Sequence, residues 1–273
     1  PTAEFSLTSK HAIGMVSHVV GYQVHRDSVE DSIIAVLPLI RERLLKAFLV
    51  GEADAIINGD TTGTQDALAN WVLRGWFPAG TGATDRRRLF DGLRKRALAR
   101  ASVDYAAIAA SKQGTTKEVL EVVKLLDSDD GAVVIVNREQ KFRMFEYEDL
   151  EGNAAWQPSP AVNGGQVGGG SGSLPGQIGT LYGYPILEEN ALPNNLNASG
   201  VYDHTTTTKG SMLAVTPSAY KRWIRKETVM ESEVDIRNNT ATLVARRRMN
   251  FAELPNPAWA EKNVAVMFNL PTT

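Results

Sequence analysis

The stretch from Ser28 to Asp60, SVEDSIIAVLPLIRERLLKAFLVGEADAIINGD, constrains this chain more than any other. Ile33, Leu37, Ile40, Leu44 and Phe48 recur at helical spacing, and Ile34, Leu45 and Leu49 widen the stripe. That period specifies one long amphipathic helix, which must find an apolar surface to lie on. Ser28 with Asp31 resembles a capping box, and Glu30 and Asp31 suit the positive N-terminal end. Pro38 lies inside the pattern and should bend the helix. Asn58-Gly59 supplies a left-handed stop, so Ala55-Ile56-Ile57 continue the helix rather than forming a strand.

Extended segments surround this helix. Residues 5–25, FSLTSKHAIGMVSHVVGYQVH, are rich in β-branched residues and predict one or two strands. ESEVDIRNNTATLVARRRMNFAEL predicts a long hairpin, polar on one face, with Asn238-Asn239 at a turn that needs residues tolerating positive φ. GTLYGYPILEENALP is extended, with Pro185 at an edge or turn, and NVAVMFNL is a short apolar strand. AVVIVNREQKFRMFEY reads as a buried strand, a polar turn and a second strand. DALANWVLRGWFPAG looks helical up to Gly75. A basic amphipathic helix opens at Arg86-Arg87-Arg88 and includes Arg94, Lys95, Arg96 and Arg100. TTKEVLEVVKLLDSDDG is a further helix, with Thr115 or Thr116 near its N-cap. NGGQVGGGSGSLPG is a low-complexity glycine loop, and no internal repeat is visible.

The composition is that of a folded globular chain, 43% hydrophobic and 22% charged. With 29 Lys and Arg against 31 Asp and Glu, the net charge of −2 argues against gripping nucleic acid by the whole surface. There is no cysteine, which excludes disulfides, thiolate metal sites and cysteine nucleophiles. No apolar run is long enough to span a bilayer, so no membrane partner is expected.

Asp60, in DTTGT, invites a catalytic reading. The pattern is close to the Asp-x-Thr-Gly-Thr of enzymes whose aspartate attacks a phosphoryl group beside a metal ion. That chemistry needs a lysine and further acids, and Asp129-Asp130 precede their strand, whereas a metal site in a parallel sheet lies beyond the strands' carboxyl ends. The competing reading is a polar helix-exit loop, in which Asp60→Asn would be mild. The glycines at 164–172 lack the lysine and helix of a phosphate loop. His11, His18 and His25 are spaced by seven, which suits a metal pair on neither a helix nor a strand, and His204 reads as an ordinary surface or packing histidine. No catalytic, cofactor-binding or metal-binding residue is assigned. Arg246-Arg247-Arg248 lie on a strand, so their side chains alternate faces. Arg86, Arg87, Arg88, Arg246 and Arg248 are candidates for contacts with another subunit.

Taken in order, the spine helix ending in GEADAIINGDTTG, then VVIVNREQKFRMFEY, GTLYGYPILEENALP, GSMLAVTPSAYKRW, the long hairpin and NPAWAEKNVAVMF resemble the major capsid proteins of tailed bacteriophages and prophages, of the Hong Kong 97 type. The resemblance implies an α+β fold. It would place residues 1–58 and 202–254 in a peripheral domain of spine helix and hairpin. Residues 59–201 and 255–273 would form an axial domain, with a central sheet and flanking helices. It implies a structural protein that self-assembles into hexamers and pentamers of an icosahedral shell around double-stranded DNA. Scaffold, protease and portal proteins would be further partners, and the virion the destination. The chain before Ser28 is too short to hold both the N-terminal arm and the extended loop of that family, and Pro1 would follow a cleavage or a truncation. Gene-transfer particles and cellular nanocompartments share the resemblance. A virion protein of the tail or portal region would form rings instead of closed shells.

Overall fold

The computed structural model describes residues 15–25, 36–61, 89–147, 176–202, 208–254 and 262–272. The proposed capping box, the segments at 5–14 and 66–80, and the glycines at 164–175 lie outside them.

Two sheets are built around one helix. The smaller is antiparallel, in the order β1 (Val16–His25), β8 (Thr240–Glu253), β7 (Tyr220–Asp235). The larger has six strands, in the order β2 (Ser102–Asp104), β9 (Val264–Pro271), β6 (Lys209–Val215), β3 (Val133–Val136), β5 (Tyr184–Glu188), β4 (Gln177–Leu181). It is mixed: β2 with β9 and β3 with β5 are parallel, the remaining neighbours antiparallel. The resemblance groups residues 202–254 with the hairpin, but β6 within them hydrogen-bonds into the larger sheet.

The central strands are buried on both faces, which is why they read as unbroken apolar runs. Val134, Val136, Met212, Ala214, Ala265 and Met267 point to one side. There they meet α3 (Lys117–Val123) and α4 (Arg138–Phe145) through Val119, Val122 and Met144. Val133, Leu213, Val215, Val264 and Val266 point to the other side, against Phe90 and against Leu93 and Ala97 of α2 (Leu93–Arg100).

α1 (Val36–Asn58) ties the two sheets together. Its first half lays Ile40, Leu44 and Phe48 on Leu243 and Ala245 of the small sheet. Its last turns put Ala55 and Ile57 into the core of the large one. At about 1.5 Å per residue, the helix spans roughly 34 Å. Leu45 and Leu49, expected to widen the buried stripe, are instead 40% and 58% exposed, beside Leu39 and Val50 at 45% and 53%. Pro38 falls in the first described turn.

Three other expectations are corrected. Gly59 does not adopt a left-handed conformation. It is required by a close approach: a Cβ there would lie 2.2 Å from the Phe90 carbonyl oxygen and 2.4 Å from that of Ala55. Gly92 is its counterpart, with a Cβ 2.5 Å from the Gly59 nitrogen, and its own N–H donates to the Gly59 carbonyl at 2.8 Å. REQKFRMF is helix α4, not turn and strand. Asn137 caps it by accepting from the Glu139 N–H at 2.9 Å, and the buried positions Gln140, Arg143, Met144 and Tyr147 follow helical spacing with two polar members, which disguised the stripe. The basic helix begins at Leu93 after Gly92, so the Arg86–Arg88 triplet does not open it.

Other features fall as expected. Asn239 has φ 52°, and the Asp235 carboxylate accepts from the Arg237 and Asn238 N–H groups across the hairpin turn. Tyr182 and Gly183, with φ 52° and 87°, make a two-residue turn between β4 and β5. Pro185, expected at an edge or turn, instead lies in β5, an interior strand, where parallel pairing with β3 begins only at Ile186. Its missing N–H therefore costs no ladder bond on that side.

Gly59→Ala and Gly92→Ala should each destabilise the fold by about 3 kcal/mol or more, because the added methyl meets rigid backbone. Gly21→Ala, whose Cβ would find its nearest atoms at 3.7 Å, should be close to neutral. Urea midpoints of the three variants check this.

Candidate functional site

Asp60 follows the end of α1, not the end of a strand. It is fully buried, and its Oδ1 lies 2.8 Å from Lys95 Nζ. Lys95 also reaches Asp91 Oδ1 at 2.7 Å, one turn back along the chain. Asp91 in turn accepts from the Thr61 N–H at 3.0 Å and the Thr61 hydroxyl at 2.6 Å. Burial would lower the Lys95 ammonium, but its bonds to Asp60 and Asp91 outweigh this and hold it above its ordinary value. Burial would raise the Asp91 carboxyl, but Lys95 and Thr61 hold it below. This is a clamp joining the exit of α1 to α2. A carboxylate sealed against a lysine is not presented to a substrate. Asp60→Asn would break a buried ion pair, so it is not the mild change expected from a simple helix exit.

The other cations of α2 are also held within the chain. Arg94 is buried and donates to Asn58 Oδ1 at 3.1 Å and to the Gly200 carbonyl at 2.9 Å. Arg100 and Arg96 reach Glu253 Oε2 at 2.6 and 3.4 Å, fastening the hairpin's base. Asn58 donates to the Ala191 carbonyl at 2.6 Å, and above it opens a cleft of about 750 Å³ lined by Leu49, Val50, Asp54, Asn58, Arg94 and Tyr202 among others. On the far side of the large sheet, burial raises the Glu118 carboxyl, while Arg143 and the Tyr147 hydroxyl stabilise its ionised form.

A second clamp holds the hairpin. Glu52, on the buried side of α1 four residues after Phe48, is 3% exposed. Its carboxylate takes Arg222 of β7 at 2.6 Å and Arg247 of β8 at 2.6 Å. Arg247 lies over the Phe48 ring, which stacks on His18 of β1 at 4.2 Å. One helix residue and its neighbour thus engage all the strands of the small sheet. The sequence carried a faint signal: Glu52 is a charge on the apolar stripe, and Arg247 a charge among the inward positions Leu243, Ala245 and Met249.

The arginine triplet does alternate. Arg247 faces the helix, while Arg246 and Arg248 are exposed on the outward face. Arg246 pairs with Glu231 of β7 at 2.8 Å, and Arg248 has no carboxylate partner among the described residues. Arg86, Arg87 and Arg88 lie outside the described residues. Among those residues no group of three or more His, Cys, Asp or Glu side chains is placed to hold a metal ion, and no helix is long and apolar enough to cross a membrane.

A helix clamped under a long hairpin, beside a double-covered sheet, is an architecture with known counterparts. The family model described as the phage capsid family matches residues 9–252. The chain belongs to the phage capsid family. It is 25% identical over 173 residues to the major capsid protein of Escherichia phage T5, a match covering 63% of this chain and 31% of that protein. The chain thus spans about a third of the length of that relative. Among solved structures it resembles the capsid of an empty GTA particle, with a TM-score of 0.58 at 14% identity, covering 98% of this chain and 80% of the other. It also resembles the holo-SrpI encapsulin complex from Synechococcus elongatus PCC 7942, with a TM-score of 0.55 at 11% identity, covering 95% and 75%. At these identities the structures establish the fold, an α+β fold of Hong Kong 97 type.

Two predictions follow from the clamps. Glu52→Ala leaves the half-buried Arg247 with only the distant Glu227 at 3.9 Å and should cost about 2–4 kcal/mol, with amide protection lost first along β7 and β8 in hydrogen exchange. Lys95→Met tests the other clamp by pH. Asp91 titrates below its ordinary 3.8, so its contribution is present above that value and fades as pH falls through the folded value. Lys95 titrates above 10.5, so the clamp is lost only as pH rises beyond that. The stability gap between wild type and Lys95→Met should stay level from about pH 5 to about pH 10 and narrow in acid as Asp91 is protonated, while the Asp60 pair persists.

Proposed function

We propose that this chain is the shell-forming subunit of a tailed phage or prophage head. Copies of it associate as hexamers and pentamers into an icosahedral shell around double-stranded DNA, held without sequence-specific contacts. The work is done by interfaces and not by catalysis. The observation that carries this reading is the family match over residues 9–252. α1 with the small sheet corresponds to the peripheral domain and the large sheet to the axial one. Scaffold, protease and portal proteins are its partners during assembly in the host cytoplasm, and the virion is its destination.

Physical features support the reading. The apolar side chains of Leu39, Leu45, Leu49 and Val50 remain exposed along the spine, and repeated contacts between identical subunits cover such surfaces. The near-neutral charge suits a wall that encloses DNA without adhering to it. The phosphoryl-transfer reading of Asp60 is weakened by its burial against Lys95.

Light scattering of the purified full-length protein, with negative-stain micrographs of the same sample, tests the proposal. Rings and closed shells are expected, with double-stranded DNA in particles taken from the producing cell. Shells holding protein cargo and no DNA would identify a nanocompartment. A monomer with phosphatase activity abolished by Asp60→Asn would overturn the shell reading.

A further inference from the structure

The outward face of the small sheet is divided by charge along its length. Register sets which side chains share that face. Lys226 lies opposite Arg248, Glu231 opposite Val244, Glu233 opposite Thr242, and Asp235 opposite Thr240. Leu243, Ala245 and Met249, the alternate positions, are buried toward the helix. The same outward face therefore carries Lys226, Arg246 and Arg248 near its base and Glu231, Glu233 and Asp235 toward its tip. Six residues of β8 separate Arg248 from Thr242, about 20 Å of strand.

Half of these six charges are not used within the subunit. Lys226, Arg248 and Glu233 are exposed and have no ion-pair partner among the described residues. The Arg246–Glu231 pair is 47% and 49% exposed, so it is weakly held and open to exchange. Asp235 is different, because its carboxylate organises the turn. Strand addition to the free edge of β7 is disfavoured by the irregular register between Ile224 and Val229. The face, not the edge, is the surface on offer.

We infer that this face docks on the same face of a second copy, with the two arms antiparallel, so that Glu231 and Glu233 of one lie on Lys226 and Arg248 of the other. The arrangement is self-complementary: a two-fold axis generates both contacts at once. Parallel arms would set like charges together, so charge selects the orientation as well as the partner. The inference rests on the shell reading and names one of its contacts.

The test is a charge swap in the full-length chain. The tip variant is Glu231→Lys with Glu233→Lys, and the base variant is Lys226→Glu with Arg248→Glu. Asp235 is left alone to keep the turn. All four sites are exposed, so urea midpoints should stay near wild type. Each variant alone should need about tenfold more protein, or higher, to assemble, as read by light scattering. An equimolar mixture should restore assembly, with tip and base variants alternating in cross-linked pairs. Added salt should weaken wild-type assembly, since exposed charges are screened.

Wild-type-like assembly by either variant overturns the contact and leaves the shell reading standing. A mixture as defective as its parts also overturns it. A wild-type chain that never assembles removes the shell reading itself. If monomeric wild type retains a double-stranded DNA oligonucleotide and the base variant releases it without any change in assembly, the cations serve a polyanion and the inference falls.

Discussion

Everything in this fold hangs on a place where two backbones touch with no side chain between them. Gly59 at the exit of α1 and Gly92 at the entrance of α2 meet through a 2.8 Å hydrogen bond, and neither position has room for a methyl group. That contact sets the angle at which the spine helix leaves the large sheet. The helix then carries the small sheet with it through Phe48 and Glu52. The buried Asp60–Lys95 pair secures the junction electrostatically, where burial makes a broken pair expensive.

The charges of this protein divide into two populations. Arg94, Lys95, Arg96, Arg100, Arg222 and Arg247 are bound inside the subunit to specific acceptors. They determine which helix lies on which sheet. Lys226, Arg248 and Glu233 are exposed and have no ion-pair partner among the described residues. A basic stretch in the sequence is thus no single feature. LRKRALAR, residues 93–100, looks like a nucleic-acid surface until the folded partners of each cation are known.

Elements with a clean period were legible in the sequence. The spine helix, the hairpin with its Asn239 turn, and the apolar strands β3 and β9 follow from residue spacing alone. α4 is hidden in the sequence because Gln140 and Arg143 occupy its buried stripe and are satisfied by distant partners, Pro271 and Glu118, that local pattern cannot reveal. Gly59 resembles a conformational device in the sequence but is a spatial one, because the crowding atoms come from Phe90, Ala55 and Gly92. Of the proposed contact residues, the face occupied by Arg246 and Arg248 was readable from alternation. That Arg247 is held by Glu52 was not, since 195 residues separate them.

The long β7–β8 pairing has a mechanical consequence. Its ladder hydrogen bonds run across the strands, so a pull along the arm shears many of them together. A pull that peels the tip outward loads them one after another. Glu52 grips both strands partway along the arm, and so acts as the point beyond which peeling cannot easily travel. The arm is therefore stiff under tension and compliant at its end. A subunit built this way can yield locally at its margins while load passes through the spine to the rigid sheet.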